Sequence, residues 1–93
     1  MNGPLPYCVY VLRSKLDDNL YVGFTTDLDQ RLVAHNSGSV LSTAPRRPFK
    51  LIFCEYYLSK IDAIRRERYL KSSSGKRSLK LMLRDTLGKS TGR

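Results

Sequence analysis

Acidic residues are scarce in this chain: eight Asp and Glu stand against seventeen Lys and Arg among 93 residues, a formal charge of +9 at pH 7. That imbalance favours polyanionic partners, and nucleic acid is the commonest for a basic domain. The alternative reading of the charge is solubility, or attachment to ribosomes by charge alone. Long apolar runs are missing as well. No stretch approaches the roughly 20 apolar residues of a membrane span, and residues 1–6 lack the basic start and apolar run of a secretory signal. The expectation is a cytoplasmic protein with no membrane partner. Cysteine is nearly absent, with Cys8 and Cys54 far apart and in no CxxC pattern. Two buried, reduced thiols are expected; a disulfide between neighbouring strands is the other reading and needs an oxidising compartment. Internal repeats and long linkers are also lacking, so residues 1–93 read as one domain with a core at about 7–87 and a polar, frayed tail at 88–93. A chain this short buries only about 60–65% of its unfolded surface, which leaves little room for a deep pocket.

Within those bounds the patterning is clear. Tyr7 to Leu12 and Leu20 to Phe24 are short apolar runs joined by the turn-prone Lys15-Leu16-Asp17-Asp18-Asn19, and they predict a β-hairpin. A helix follows, with Thr26 as the expected N-cap, Asp29 three residues on, and Gly38 placed to end it. A Ser, Gly and Pro-containing loop over residues 37–48 leads to a third strand, Phe49 to Tyr57, apolar on both faces and expected to be covered on both. Ser59 with Asp62 predicts a second cap, opening a helix from Lys60 to about Lys71. Ser72-Ser73-Ser74-Gly75 reads as an interruption before a last helix, about Lys76 to Leu87, with Leu79, Met82, Leu83, Thr86 and Leu87 along one side and Lys76, Lys80 and Arg84 on the other. The order β-β-α-β-α-α is not an alternation of strand and helix, so the expected class is α+β rather than a doubly wound parallel sheet. Gly88-Lys89-Ser90 hints at a phosphate loop but lacks the earlier glycine and preceding strand such a loop requires.

Several residues could carry chemistry. Arg31 and His35 lie four apart and share a helix face; His35 is the lone histidine, and such a residue is often structural. Ala63, Ile64, Glu67 and Leu70 share an arc of roughly 120° at about 100° per residue. A carboxylate there is costly unless it pairs with a cation, so Glu67 calls either for an ion pair, to Arg31 or another basic side chain, or for a metal. Tyrosines such as Tyr7, Tyr56 and Tyr57 pack at strand rims. Arg46, Arg47, Lys50, Lys71 and Lys76, with Lys80, Arg84 and the cluster Arg65-Arg66-Arg68, are candidates for tracking a phosphate backbone, against ordinary solvated surface.

At Cys8-Val9-Tyr10 and Tyr21-Val22-Gly23 the chain resembles the GIY-YIG nucleases, whose name records the two halves of that motif. Arg31 and His35 match the family's helix-borne arginine and the His or Tyr that follows, and Glu67 matches its glutamate. The resemblance covers roughly residues 7 to 84 and is closest to small stand-alone bacterial members. It implies a three-stranded antiparallel sheet flanked by helices. It also implies a site of Tyr10, Tyr21, Arg31, His35 and Glu67 that hydrolyses DNA phosphodiester bonds, in repair or recombination. There Glu67 would hold one Mg²⁺ or Mn²⁺, with water and phosphate oxygens completing the shell. An unperturbed tyrosine is a poor base at neutral pH, but a guanidinium and a divalent cation favour phenolate, so Tyr10 would take a proton from water while Tyr21 orients Tyr10 or the phosphate. Arg31 would contact the scissile phosphate, and His35 would relay a proton or hold a phosphate oxygen. Two positions depart from some relatives: Phe24 stands where they carry lysine, and Leu79 where they carry asparagine. Those departures leave a second reading, a nucleic-acid-binding module without turnover, beside a third in which a protein or ribosomal partner is the target.

Overall fold

The computed structural model describes residues 4–88; residues 1–3 and 89–93, which include most of the expected tail and part of the lead-in, lie outside the described residues. Two strands, β1 (Tyr7–Ser14) and β2 (Leu20–Thr25), precede helix α1 (Leu28–Ser37). A short 3₁₀ turn (Ala44–Arg46) and strand β3 (Phe49–Tyr57) follow, then helices α2 (Lys60–Lys71), α3 (Ser73–Met82) and α4 (Arg84–Gly88). The sheet is three-stranded in the order β2-β1-β3, and both pairings are antiparallel. The α+β class and the flanked antiparallel sheet are therefore as the sequence and its resemblance implied.

β1 is the central strand and is closed on both sides. Its residues alternate between two clusters, as the pleat requires. Val9 and Val11 pack with Ala63, Leu70, Leu79 and Leu83 from the α2 and α3 side. Cys8, Tyr10 and Leu12 pack with Leu28 and Phe49 on the α1 side. Full cover on both faces thus belongs to β1, whereas the expectation placed it on β3. β3 is an edge strand, so its side chains feed both clusters while most stay half-buried. Both cysteines are free, and burial together with the nearby Cys54 pushes the Cys8 thiol up to about 11, which makes it an inert core residue.

Local signals explain most element ends, with corrections at α1 and in the last helical region. Thr26 is not the cap of α1. The Thr25 hydroxyl accepts the Asp27 N–H at 3.0 Å, Asp27 takes the extended conformation, and its carboxylate accepts the Gln30 N–H at 3.1 Å. Gly38 ends the helix as expected, in the left-handed region at φ 87°. Ser59 caps α2 through the Asp62 N–H at 3.2 Å. The second correction is at Ser72–Gly75, where the interruption is Ser72 alone and Ser73–Gly75 already belong to α3. Ser72 leaves α2 and at once caps α3, accepting the Gly75 N–H at 3.1 Å. A Cβ on Gly75 would run into the Tyr69 carbonyl and Leu70 Cα, so a residue without a side chain lets the two helices meet this closely. The expected last helix also divides at Leu83, whose buried side chain and non-helical backbone end α3 before α4 begins. Met82, placed by periodicity on the packed side, is 44% exposed.

Candidate functional site

Tyr10 sits in the middle of the central strand and is 3% exposed. Its register partner on β2 is Gly23. A Cβ on Gly23 would collide with the Tyr10 hydroxyl and ring carbon, so the glycine opposite the tyrosine gives the ring its place. The hydroxyl then reaches across to α1. There the Asp27 cap and the helical repeat set Arg31 and His35 one turn apart on the side facing the sheet.

His35 is buried, 4% exposed, and both ring nitrogens are engaged. Nε2 lies 2.9 Å from the Tyr10 hydroxyl, and Nδ1 lies 2.8 Å from the Thr43 hydroxyl. The rings of Tyr10 and Phe49 meet the imidazole edge-on, each at 5.8 Å. Burial first, and then the Arg31 charge, hold the histidine below its ordinary pKa of 6.5, so the ring is neutral at pH 7. The Arg31 Nε–H donates to the same Tyr10 oxygen over 3.4 Å, a long contact. Tyr21 packs edge-on against Phe49 at 5.3 Å, on the same face of the sheet as Tyr10.

On the other side of the sheet α2 contributes Glu67, whose side chain is 18% exposed and whose Oε2 lies 2.9 Å from Lys71 Nζ. Of the two readings of that carboxylate, an ion pair is present, and its partner is Lys71 rather than Arg31. Tyr10, Tyr21, Arg31, His35 and Glu67 all line one open groove of about 930 Å³ that runs along β2. Lys71, Lys76 and Lys80 line it too, so with Arg31 four cations face Glu67 and Asp18. Asp18 is itself paired with Arg13 at 3.3 Å. The groove is positive and suits a phosphodiester backbone.

Other basic candidates lie outside the groove lining. Arg46 pairs with Asp17 at 3.1 Å, Arg47 donates to the Ala44 carbonyl at 3.3 Å beside Gly38, and Lys50 is exposed on the edge strand. Arg65 pairs with Asp62 at 2.9 Å, Arg66 with Glu55 at 3.0 Å, and Arg84 donates to the Leu81 carbonyl. Phe24 stacks on Tyr7 at 6.1 Å, and Leu79 is a core residue, 1% exposed. Their places are therefore filled by packing groups that supply neither the charge nor the amide found in some relatives. Thr43 was not among the sequence candidates. A hydroxyl in a loop rich in Ser, Gly and Pro carries no signal until the loop folds back on His35.

The described residues hold no group of three or more His, Cys, Asp or Glu able to cage a metal. A hard divalent ion fits the site nonetheless, as a cation bound through one carboxylate and otherwise by water and phosphate oxygens. Glu67 faces the groove with its side chain 18% exposed, and a divalent ion bound there would take the place of the Lys71 ammonium on that carboxylate. Among the described residues no helix is long and apolar enough to cross a membrane.

Comparison with known proteins agrees with this geometry. The family model of the GIY-YIG catalytic domain matches residues 6–80. The UPF0213 proteins of Staphylococcus haemolyticus and Clostridium perfringens are each 39% identical to this chain over 75 residues, spanning 80% of it and 90% and 80% of those proteins. The UPF0213 protein YazA of Bacillus subtilis is 39% identical over 69 residues, 73% of this chain and 69% of its own length. The solution NMR structure of the UPF0213 protein BH0048 from Bacillus halodurans superposes with a TM-score of 0.52 at 37% identity, covering 82% of this chain and 83% of that one. The family is one of nucleases acting on nucleic acid, typically with a divalent metal. A tyrosine seated over the second motif's glycine, an arginine and histidine one turn apart, and a groove-lining glutamate come together in a matched catalytic domain: the chain belongs to the GIY-YIG family.

Proposed function

We propose that this chain, acting as a single domain over residues 1–93, is an endonuclease that hydrolyses phosphodiester bonds of DNA. It would work in the cytoplasm in repair or recombination, using one Mg²⁺ or Mn²⁺ held through Glu67. The observation that carries the reading is the Tyr10 hydroxyl, contacted by both His35 and Arg31 at the wall of a positive groove that Glu67 also lines. In that arrangement Tyr10, as the phenolate, accepts the proton of the attacking water while the water oxygen bonds to phosphorus. The bond from phosphorus to the leaving oxygen breaks, and the leaving oxygen takes a proton from solvent. Arg31 neutralises charge that grows on the phosphoryl oxygens, and Tyr21 steadies the phosphate from the same face of the sheet. The lysines 71, 76 and 80 hold the flanking phosphates and provide the charge that Phe24 does not. The bound cation would supply Lewis-acid neutralisation at the phosphoryl and leaving oxygens.

Phe24 and Leu79 favour a second reading, a binding module that keeps the fold without turnover. Incubating the full chain with duplex, branched and single-stranded DNA, with Mg²⁺, Mn²⁺ or chelator, separates the two. Metal-dependent nicks that vanish with chelator are expected. Tight, salt-sensitive binding with no nick on any substrate would sink the enzyme reading and leave the module.

A further inference from the structure

β3 ends the sheet, so one of its long sides has no partner strand. Which groups of its first residue face that side follows from β1. The Ser14 N–H donates to the Asn19 carbonyl and the Ser14 carbonyl accepts from Asp18, both at 2.9 Å and both on the hairpin side. Phe49 is registered opposite Ser14, and in such a non-hydrogen-bonded pair both residues turn their peptide groups away from each other. The N–H and C=O of Phe49 therefore point out from the open edge, at a residue only 6% exposed, where backbone groups need partners. Asn36 supplies both. The Phe49 N–H donates to Asn36 Oδ1 at 2.6 Å, and Asn36 Nδ2–H donates to the Phe49 carbonyl at 3.3 Å. A side-chain amide carries a donor and an acceptor side by side, so it pairs with this residue as a neighbouring strand would.

We infer that Asn36 is a positioning residue, whose amide latches the last turn of α1 to the open edge of β3 and so sets the Phe49 ring against the site. That ring meets the His35 imidazole edge-on at 5.8 Å and the Tyr21 ring edge-on at 5.3 Å. One side chain of β3 thus touches a site residue from α1 and another from β2. The residue that anchors it is the next in sequence after His35, which lies 2.9 Å from the Tyr10 hydroxyl. Without the latch, the first residue of β3 has no hydrogen bond on either side, because its partner Ser14 gives it none. Its ring would then be free to shift, and a shift passes directly to His35 and Tyr21. Asn36 lies outside the groove lining, so its effect on a reaction there runs through Phe49. That catalytic consequence rests on the nuclease reading above; the latch does not.

Asn36→Leu keeps much of the side-chain volume and removes both hydrogen bonds. Because His35 is the lone histidine, its imidazole ¹H resonances, which sense the edge-on rings, are read without ambiguity in the untagged chain. They should move in Asn36→Leu, and kcat should fall about tenfold with KM little changed. Phe49→Leu, which removes the ring and leaves the latch, should do the same. The double variant should be hardly worse than either alone, since both act through one contact. Additive losses, or wild-type kcat with unmoved imidazole resonances in Asn36→Leu, would overturn the inference. Glu55→Gln, which loosens the same strand away from the site, should leave both readouts in place; equal changes there would also overturn it, reducing Asn36 to a stabilising residue. In the unmodified chain the Phe49 amide proton should exchange slowly despite its open edge. Free exchange would overturn the latch, whatever Asn36→Leu does to folding. Absence of any cleavage by the unmodified chain would instead count against the nuclease reading, and the resonances and the exchange would still report the latch.

Discussion

Two glutamates in this molecule are each held by a basic residue of α2, and they are held in opposite ways. Glu55, on β3, accepts a fork from Arg66 at 3.0 and 3.2 Å and the Tyr57 hydroxyl at 2.8 Å. Glu67, the next residue on α2 after Arg66, makes one ion pair among the described residues, to a lysine whose side chain is 55% exposed. The planar guanidinium and the added hydroxyl fix the first pair in one geometry. A single flexible ammonium leaves the second free to exchange its partner. The lesson is that a partly buried carboxylate is not functional by burial alone. What sets Glu67 apart from Glu55 is a single-point ion pair in place of a fork, and a face on the groove.

The largest expected effect tests that contrast by crossing the two sites. Glu67→Gln should lower metal-dependent cleavage by orders of magnitude, since neutralising phosphoryl charge is worth several kcal/mol and each ~1.4 kcal/mol is tenfold. Its melting temperature should hardly change, because an exposed lysine pair contributes little. Glu55→Gln should do the reverse, costing about 1–2 kcal/mol of stability with cleavage per folded molecule intact. Lost stability with unchanged cleavage at Glu67 would erase the distinction. Next in size is Gly23→Ala, whose methyl group would displace the Tyr10 hydroxyl from His35. A loss of about 100-fold in cleavage is expected, within the range of a lost acid–base group, and a wild-type rate would show that the position of Tyr10 is unimportant.

A smaller effect concerns the lysine. If Lys71 holds Glu67 until a divalent cation replaces it, Lys71→Met should tighten Mn²⁺ binding severalfold in calorimetry without DNA present. Weaker binding would mean that Lys71 supports the metal site. The smallest expected effect is on pH. His35 is faced by Arg31, Tyr10, Thr43 and Phe49, and its folded pKa lies below the ordinary 6.5. The unfolded chain therefore binds the proton more readily between the two values, and stability should fall as pH drops from 6.5 toward the folded pKa. Chemical denaturation across that window should show the slope in the wild type and a flatter profile in His35→Gln. Equal slopes would place the titration elsewhere.

Much of the site was legible because its signals are local. The spacing of Arg31 and His35 follows from helical repeat alone, and the two half-motifs identify β1 and β2 before any pairing is known. Glu67 announced itself as a carboxylate on an otherwise apolar arc. What could not be read depends on contacts between distant segments. Thr43 matters only because the loop after α1 brings it back to His35. Lys71 looked like a phosphate contact, and its pairing with Glu67 needs the actual rotamers of α2. Composition gave the total charge but not its sides, so Arg46, Arg47 and Lys50 had equal standing with Lys76 until the groove appeared. The cap of α1 was expected one residue early, at Thr26 instead of Asp27, and α3 was expected to start at Lys76 instead of Ser73, in stretches where several Ser, Thr and Asp side chains compete for the same backbone donors.

The central claim is that the Tyr10 oxygen is the group that receives the proton of the attacking water. Tyr10→Phe removes that one oxygen and keeps the ring over Gly23, so single-turnover nicking beside a melting curve tests it most directly. The expected result is a rate lower by about 10²–10⁴-fold, DNA binding within a few-fold of wild type, and a stability loss of no more than about 1–3 kcal/mol from the His35 and Arg31 groups left unpaired. A chain carrying Tyr10→Phe that folds, binds and nicks at the wild-type rate would contradict that claim.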